Sequence, residues 1–188
     1  MTAVEFSKFY EKQLWKGGSG EDKTLEYMQT RDGSLAVEQF LKDDAKYGGK
    51  KSEDVQDFVV RHSVKLSTNM FGYHIVGCLI KTDRKFADAV VKELLTDGAQ
   101  VFHFSTHKFA KFVLEAIIEQ QPIYCEKIMQ LLSTYQEDAI FRVCNNNYSN
   151  VSAPKSVITR TIYNAHFFEK LFWNYFFKFM TAPGMAVE

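Results

Sequence analysis

Proline, cysteine, long apolar runs and net charge are all scarce in this sequence. The 188 residues include 3 Pro and 3 Cys, and 23 Lys and Arg side chains balance 23 Asp and Glu side chains. No apolar run reaches the roughly 18 residues of a membrane span. The balanced charge argues against binding nucleic acid by bulk electrostatics, because such domains are usually strongly basic. The balanced net charge is still compatible with a local basic face.

The cysteines and the first residues indicate the compartment. Cys78, Cys125 and Cys144 are odd in number and contain no CxxC pair, so we expect buried free thiols in a reducing environment. The first 17 residues lack the apolar core of a secretory signal, and they include Glu5 and Glu11, which transit peptides avoid. We therefore expect an intracellular protein of the cytoplasm, the nucleus, the nucleolus or an organelle interior.

Apolar residues recur at helical spacing through much of the chain. The 17 Phe, 9 Tyr and 2 Trp supply enough apolar surface for an ordered core. Alternating strand patterns are rare, so the fold class is predicted to be all-α. Three stripes at i, i+3, i+4 spacing carry this prediction: Val55, Phe58, Val59, His62; Phe86, Val90, Val91, Leu94, Leu95; and Tyr124, Ile128, Leu131, Leu132, Tyr135.

Four segments of the chain resemble one another at a nearly constant period. Small residues stand at Gly33, Gly72, Ala110 and Ser149, which are 39, 38 and 39 residues apart. Such a period, with two longer helices per unit, is typical of an α-solenoid whose units stack on their neighbours. In three segments the apolar positions coincide as well: Val37, Val76, Leu114, then Leu41, Ile80, Ile118.

The repeats and the glycines suggest how the chain is divided. Residues 17–20 read Gly-Gly-Ser-Gly, which predicts a flexible linker after a short amphipathic segment. The predicted organisation has a segment and linker followed by about four repeats, the last with an aromatic helix: 1–20, 21–65, 66–100, 101–138 and 139–188.

Residues 66–80 and 105–115 resemble the core of a Pumilio/PUF repeat, and the resemblance extends over roughly residues 24–165. It implies three-helix repeats whose second helices line a concave face and bind single-stranded RNA, one base per repeat. In that family, two residues contact the base edge and the residue after the first one stacks on the base. The implied edge pairs are Ser34/Glu38, Tyr73/Gly77, Lys111/Glu115 and Asn150/Pro154, with Leu35, His74, Phe112 and Val151 as stacking residues.

The implied base code is incomplete. Only Ser34/Glu38 matches a pair that the family associates with guanine. Gly77 has no side chain to contact a base, and Lys111 and Glu115 are expected to pair with each other. We therefore predict a PUF-like RNA-binding protein with a degenerate code. It would act non-catalytically in post-transcriptional regulation or in ribosome or ribonucleoprotein assembly, on single-stranded or structured RNA.

Charge is unevenly distributed along the chain. Residues 1–65 carry 11 basic and 12 acidic side chains, residues 66–138 carry 7 and 9, and residues 139–188 carry 5 and 2. The basic end includes Arg142 and Lys155 beside Asn146 and Asn150, and these four residues are further candidates for RNA contact. The alternative for the asparagines is a solvated polar loop.

An aromatic segment follows at residues 167–180. This segment predicts a helix with an aromatic stripe on one face and further aromatic side chains on the opposite face. A terminal repeat usually presents a polar outer face, so an exposed apolar patch is expected here. It could cap the core, dock a protein partner or a second copy, or lie on a membrane surface, the last disfavoured because its polar face is not enriched in Lys and Arg. The alternative function is therefore a protein scaffold without direct RNA recognition. The candidate docking residues are Phe168, Phe172, Trp173, Phe176 and Phe177.

Signatures of catalysis are missing from the sequence. His103 and His107 are four residues apart, but they fall in a predicted loop without a third ligand nearby, so no metal site is expected. There is no glycine-rich phosphate loop, nucleophile elbow or HExxH motif. We predict no enzymatic activity, no cofactor and no binding to membranes.

Overall fold

The computed structural model describes Lys8 and residues 18–46, 53–121, 123–136 and 139–144. Regular secondary structure within these residues is entirely helical, which confirms the all-α prediction. The helices in chain order are α1 (Gly18–Met28), α2 (Arg31–Lys46), α3 (Glu53–Arg61), α4 (Ser63–Ser67), α5 (Gly72–Thr82), α6 (Arg84–Leu94), α7 (Gly98–Thr106), α8 (Ala110–Gln120), α9 (Tyr124–Tyr135) and α10 (Ala139–Cys144). No helix among them has the length and apolarity needed to cross a membrane.

The predicted apolar stripes lie on or next to α3, α6 and α9, and most of their members are buried, whereas Tyr135 is 38% exposed. The stripe of α6 is buried along its whole length, and Ile128 and Leu132 are the buried members of the α9 stripe. The repeat positions Val37, Val76 and Leu114 are likewise buried, as are their partners one helical turn later. Periodicity therefore identified the core correctly, because a half-buried helix must keep its apolar side chains on one face.

Side-chain caps lie at two of the short connections between helices. Asp83 accepts hydrogen bonds from the backbone N–H groups of Lys85 and Phe86 at the start of α6. Asp97 accepts from the N–H of Gln100 at the start of α7. Each carboxylate satisfies donors that the first helical turn leaves without a partner, so the chain can turn sharply between helices.

Three helices lie next to one another in the order α2, α5, α8, and each contains a repeated small residue at its first or third position. Helix α6 packs on α3 and α4, while α9 packs on α7 and α10. Helix α5 is therefore central, with α2 and α8 on either side. This arrangement places the exposed sides of α2, α5 and α8 next to one another.

The small residues allow close approach of consecutive helices. A Cβ atom at position 33 would overlap the backbone carbonyl of Tyr27, and one at position 72 would lie 2.8 Å from the Leu66 carbonyl oxygen. Ala110 is fully buried at the equivalent position. The repeated Gly or Ala is thus a packing requirement, since a larger side chain would push the two helices apart.

Three local predictions can be compared with the helix bounds. Gly18, Ser19 and Gly20 of the predicted linker belong to α1, within which the Thr24 hydroxyl donates to the Gly20 carbonyl. The predicted loop containing His103 is part of α7, which Asp97 caps and which buries Val101 and Phe104. The predicted unit boundaries at 65/66 and 100/101 fall inside α4 and α7.

Candidate functional site

An open groove of about 280 Å³ runs over the neighbouring surfaces of α2, α5 and α8. Helix α5 forms its floor, with α2 on one side and α8 on the other. Four residues predicted from the sequence to contact RNA line this groove together, although they lie far apart in the chain: Glu38, Tyr73, His74 and Phe112. The remaining lining residues are Lys42, Gly77, Cys78, Lys81, Thr82 and Ala116. We call this site the aromatic groove.

Tyr73 is the centre of a cluster of rings in the aromatic groove. Its ring centroid lies 5.5 Å from that of Phe112 at an interplanar angle of 28° and 5.7 Å from that of Phe109 at 13°. The His74 centroid is 3.9 Å away. Tyr73 and Phe112 are half-buried and His74 is exposed. The cluster therefore offers a planar ligand both a fixed aromatic wall and an accessible ring.

Charged groups stand along the same groove. The Glu38 carboxylate lies 3.4 Å from the Lys42 ammonium, and both side chains line the cavity. Burial, with the nearby charge of Glu38, raises the pKa of the Tyr73 hydroxyl. Tyr73 therefore stays protonated at neutral pH and can donate a hydrogen bond, while Glu38 can accept one. The groove combines stacking surfaces with an acceptor and a donor.

Cys78 forms part of the wall rather than a reactive centre. Burial raises the pKa of its thiol to about 11, and the Sγ atom donates to the Glu38 carbonyl oxygen at 3.9 Å. A thiol so far from ionisation is a poor nucleophile. Cys125 is also a buried free thiol, in agreement with the prediction for these two cysteines.

Gly77 leaves space where the other units have a carboxylate. A Cβ atom built at this position would meet no atom within 4 Å. The equivalent positions in the neighbouring helices are Glu38 and Glu115. The aromatic groove is therefore open above the middle of α5, and any side chain introduced at position 77 would project into it.

Several predicted residues do not reach the groove. Ser34 is 3% exposed and its hydroxyl donates to the Arg31 carbonyl, so the Ser34/Glu38 pair is not presented together. A serine in the first helical turn readily forms this bond to a carbonyl three residues earlier. Leu35 is 57% exposed but does not line the cavity. Arg142 belongs to α10, where its guanidinium lies 2.8 Å from the Gln136 side-chain oxygen and 4.8 Å from the Phe102 ring centroid.

Lys111 and Glu115 occupy the edge-contact positions of α8. Lys111 is mostly buried, and its ammonium lies 4.7 Å from the Phe112 ring centroid. Burial lowers the pKa of Lys111, and the charge of Glu115 opposes that effect. Lys111 therefore supports the Phe112 ring from within the protein, as a cation on an aromatic face. Asn146, Asn150, Lys155 and the five docking residues from Phe168 to Phe177 lie outside the described residues.

One repeated feature was missed by the sequence reasoning. Thr30 accepts a hydrogen bond from the Gly33 N–H, Asn69 accepts from the N–H groups of Phe71 and Gly72, and the Nδ1 atom of His107 accepts from those of Phe109 and Ala110. Each acceptor stands three residues before the repeated small residue. Aligning the three residues that precede each small residue would have revealed these hydrogen-bonding side chains. Lys42 and Lys81 were also missed, although each lies on the same helical face as a predicted residue.

His103 and His107 approach each other without forming a metal centre. Their ring centroids are 5.4 Å apart, and in the described ranges no third His, Cys, Asp or Glu completes a group that could hold an ion. His107 already uses Nδ1 to accept backbone hydrogen bonds. His107 therefore belongs to the connection between α7 and α8, while His103 lies within α7.

The groove suits a planar ligand that carries hydrogen-bonding groups on its edge. Tyr73, His74 and Phe112 provide ring surfaces, and Glu38 provides an acceptor beside them. Nucleobases have both a π-face and an edge of donors and acceptors, which makes them one class of ligand with this chemistry. No family model, no curated protein and no solved structure matches this chain.

Proposed function

We propose that this protein binds single-stranded RNA without catalysing a reaction, by stacking bases in the aromatic groove. The observation that carries this proposal is the convergence of Tyr73, His74 and Phe112 from two helices on one cavity that also contains Glu38. Stacking of a base on an aromatic side chain is worth about 1–3 kcal/mol and tolerates any base. His74 is exposed, so burial in the core does not account for its ring.

We further propose that the helices form PUF-like units of three, namely α1–α3, α4–α6 and α7–α9. The second helix of each unit is α2, α5 or α8, and these helices pack in that order. Each contains, at its first or third position, a buried small residue that lies three residues after a side-chain acceptor. Recurrence of the same cap at three places, with close backbone contact at Gly33 and Gly72, supports a repeat rather than three unrelated turns.

The groove favours weak base selectivity. Glu38 is an acceptor of the kind that the ring and exocyclic N–H groups of guanine can meet, whereas Gly77 has no side chain to offer and the Ser34 hydroxyl bonds within its own helix. A single edge contact beside several stacking surfaces predicts a modest preference for guanine. Selectivity across a longer site would come from elsewhere.

The direct test measures binding of labelled single-stranded RNA by fluorescence anisotropy at low salt. His74→Ala removes an exposed ring, and we expect the Kd to rise by about fivefold to a hundredfold, from the loss of one stacked base. His103→Ala is the matched control, because His103 is also exposed and lies on α7 away from the groove. No measurable binding by the unaltered protein would refute the proposal.

A second variant tests the groove without removing a contact. Gly77→Phe places a ring in the open space above α5, while Gly77→Ala adds one methyl group there. We expect Gly77→Phe to weaken RNA binding at least tenfold, from the loss of a stacked base, and Gly77→Ala to leave it nearly unchanged. Equal affinity of both variants, with intact folding, would place the RNA on another surface.

A protein scaffold is the alternative function, and the exposed apolar side chain of Leu35 favours it. Leu35 occupies the position that holds His74 and Phe112 in the other units, and it is 57% exposed. An apolar residue at this position suits a protein surface better than a base. Under this alternative Leu35→Glu would abolish partner binding, and the His74→Ala variant would behave like the unaltered protein.

A further inference from the structure

A second cleft adjoins the aromatic groove at the C-terminal ends of α5 and α8. Its volume is about 550 Å³, and we call it the polar cleft. Lys81 and Thr82 line both cavities, so the two are continuous along α5. Its other lining residues are Ile80, Asp83, Arg84, Gln120, Gln121 and Ile123.

Two cations in the polar cleft have no ionic partner among the residues that the structure describes. Lys81 and Arg84 lie within a few residues of each other and both face the same cavity. The one carboxylate among the lining residues of the cleft belongs to Asp83, which already accepts the backbone N–H groups of Lys85 and Phe86. The acid of the adjoining groove, Glu38, is likewise engaged by Lys42.

The residues that line the cleft carry two cations and one carboxylate, and they include amide groups that can donate hydrogen bonds. Gln120 and Gln121 supply side-chain N–H donors at its α8 edge. A concave site with cations of one sign concentrates anions near its surface. Phosphate oxygens accept bonds from lysine, arginine and amide groups in this way.

Resting on the proposed function, we infer that the polar cleft binds the backbone phosphates of the RNA strand whose bases stack in the aromatic groove. Tyr73 and Lys81 are eight residues apart on one helix, which corresponds to roughly 12 Å along its axis. This separation puts the stacking site and the cations at opposite ends of one continuous path. The strand would leave the groove past Lys81 and reach Arg84.

The test compares two double variants with the same change in net charge. Lys81→Gln/Arg84→Gln removes both cations of the cleft, and Lys65→Gln/Lys92→Gln removes two exposed lysines that line neither cavity. Each phosphate contact contributes about 0.7 to the slope of log Kd against log salt for single strands. We expect the cleft variant to lose about 1.4 from this slope and to bind roughly 25-fold more weakly at about 0.1 M salt. The control should change much less.

Tripolyphosphate, used alone as a probe, separates this inference from the proposed function. We expect it to raise the melting temperature of the unaltered protein and of the control variant, but not that of the cleft variant. If RNA binds and the two double variants weaken it equally, the cleft inference is wrong while RNA binding stands. If tripolyphosphate stabilises the protein through Lys81 and Arg84 but no RNA binds, the proposed function fails and the anion site is retained.

Discussion

The hydrogen bonds accepted by His107 predict a helix connection that weakens in acid. Its Nδ1 atom lies 3.2 Å from the Phe109 nitrogen and 3.3 Å from the Ala110 nitrogen, so it must carry no proton. Burial, and to a smaller degree the nearby His103, lowers the pKa of His107 below its ordinary value of 6.5. The folded state therefore favours the neutral ring. Its stabilising effect is present above the unfolded pKa and is lost as pH falls through the folded pKa.

The expected magnitude follows from the bonds themselves. Loss of a side-chain acceptor at the start of a helix costs about 1 kcal/mol, which corresponds to a melting temperature lower by roughly 2–4 °C for a chain of this size. At about pH 8, where His107 is neutral, His107→Ala should lose this amount. His107→Asn should keep it, because Asn69 makes the equivalent bonds in the preceding unit.

Urea unfolding followed by far-UV circular dichroism at about pH 8 and about pH 5 measures the three proteins side by side. The unaltered protein and His107→Ala should differ less in free energy of unfolding at the lower pH. The corresponding difference between His107→Asn and His107→Ala should be the same at both pH values. Taking differences removes the contribution of other titrating groups. A constant gap between the unaltered protein and His107→Ala at both pH values would refute the reasoning.

Three further predictions concern stability. Gly77→Ala should raise the free energy of unfolding by about 0.5–1 kcal/mol, because glycine weakens a helix interior and the added methyl group meets no atom. Gly33→Ala should sharply destabilise the protein, because its methyl group would overlap the Tyr27 carbonyl. Thermal unfolding of both variants checks this, and an unchanged melting temperature of Gly33→Ala would count against the close contact. Leu114→Ala should cost about 2–5 kcal/mol in urea unfolding, since this side chain is fully buried, and a loss below 1 kcal/mol would contradict its place in the core. The Glu21 carboxylate accepts a hydrogen bond from Arg61 at 2.6 Å and lies 2.9 Å from the His62 ring nitrogen, and the bond with His62 is the main cause that lowers the pKa of Glu21. Glu21→Gln should therefore lower the free energy of unfolding at neutral pH, and this loss should vanish as pH falls through the folded-state pKa of Glu21. Equal losses in acid and at neutral pH would show that the ionised carboxylate is not responsible.

Helical periodicity predicted the core well, because burial of one face imposes a spacing that is visible in a single sequence. Val90, Val91 and Leu94 illustrate this, since each was assigned to a buried stripe and each is buried. The repeated small residues were also visible, and Gly33 and Gly72 prove to be positions of close helix contact. Both features depend on local spacing and residue size, which the sequence states directly.

Two other differences involve local side-chain hydrogen bonds, which the spacing of apolar residues does not indicate. Glycine disfavours helices, yet Gly18 and Gly20 belong to the first turns of α1, where the Thr24 hydroxyl bonds to the chain. Ser34 was predicted to contact a base, but a bond to its own helix turns its hydroxyl inward. In both places a local side-chain hydrogen bond accompanies the observed structure, and residue type alone does not indicate whether that bond forms.

The sequence predicted some residues of the candidate site but not its cavities, for a different reason. His74 and Phe112 could be chosen from the aligned segments, but the space above Gly77 and the link through Lys81 exist only once α5 and α8 are side by side. A cavity belongs to the gap between helices, so its volume and its neighbours depend on packing distance. The sequence of either helix alone contains no measure of that gap.

The close contacts at Gly33 and Gly72 separate two roles within α2 and α5. Backbone contact near the start of each helix, rather than the bulk of a ligand-facing side chain, sets how near it comes to the preceding helix. Side chains farther along the exposed surface are therefore free to change without altering the spacing of the helices. A protein built this way could acquire a new ligand by replacing residues such as Glu38, His74 or Gly77 while its framework stays the same, which makes the groove a natural starting point for redesign.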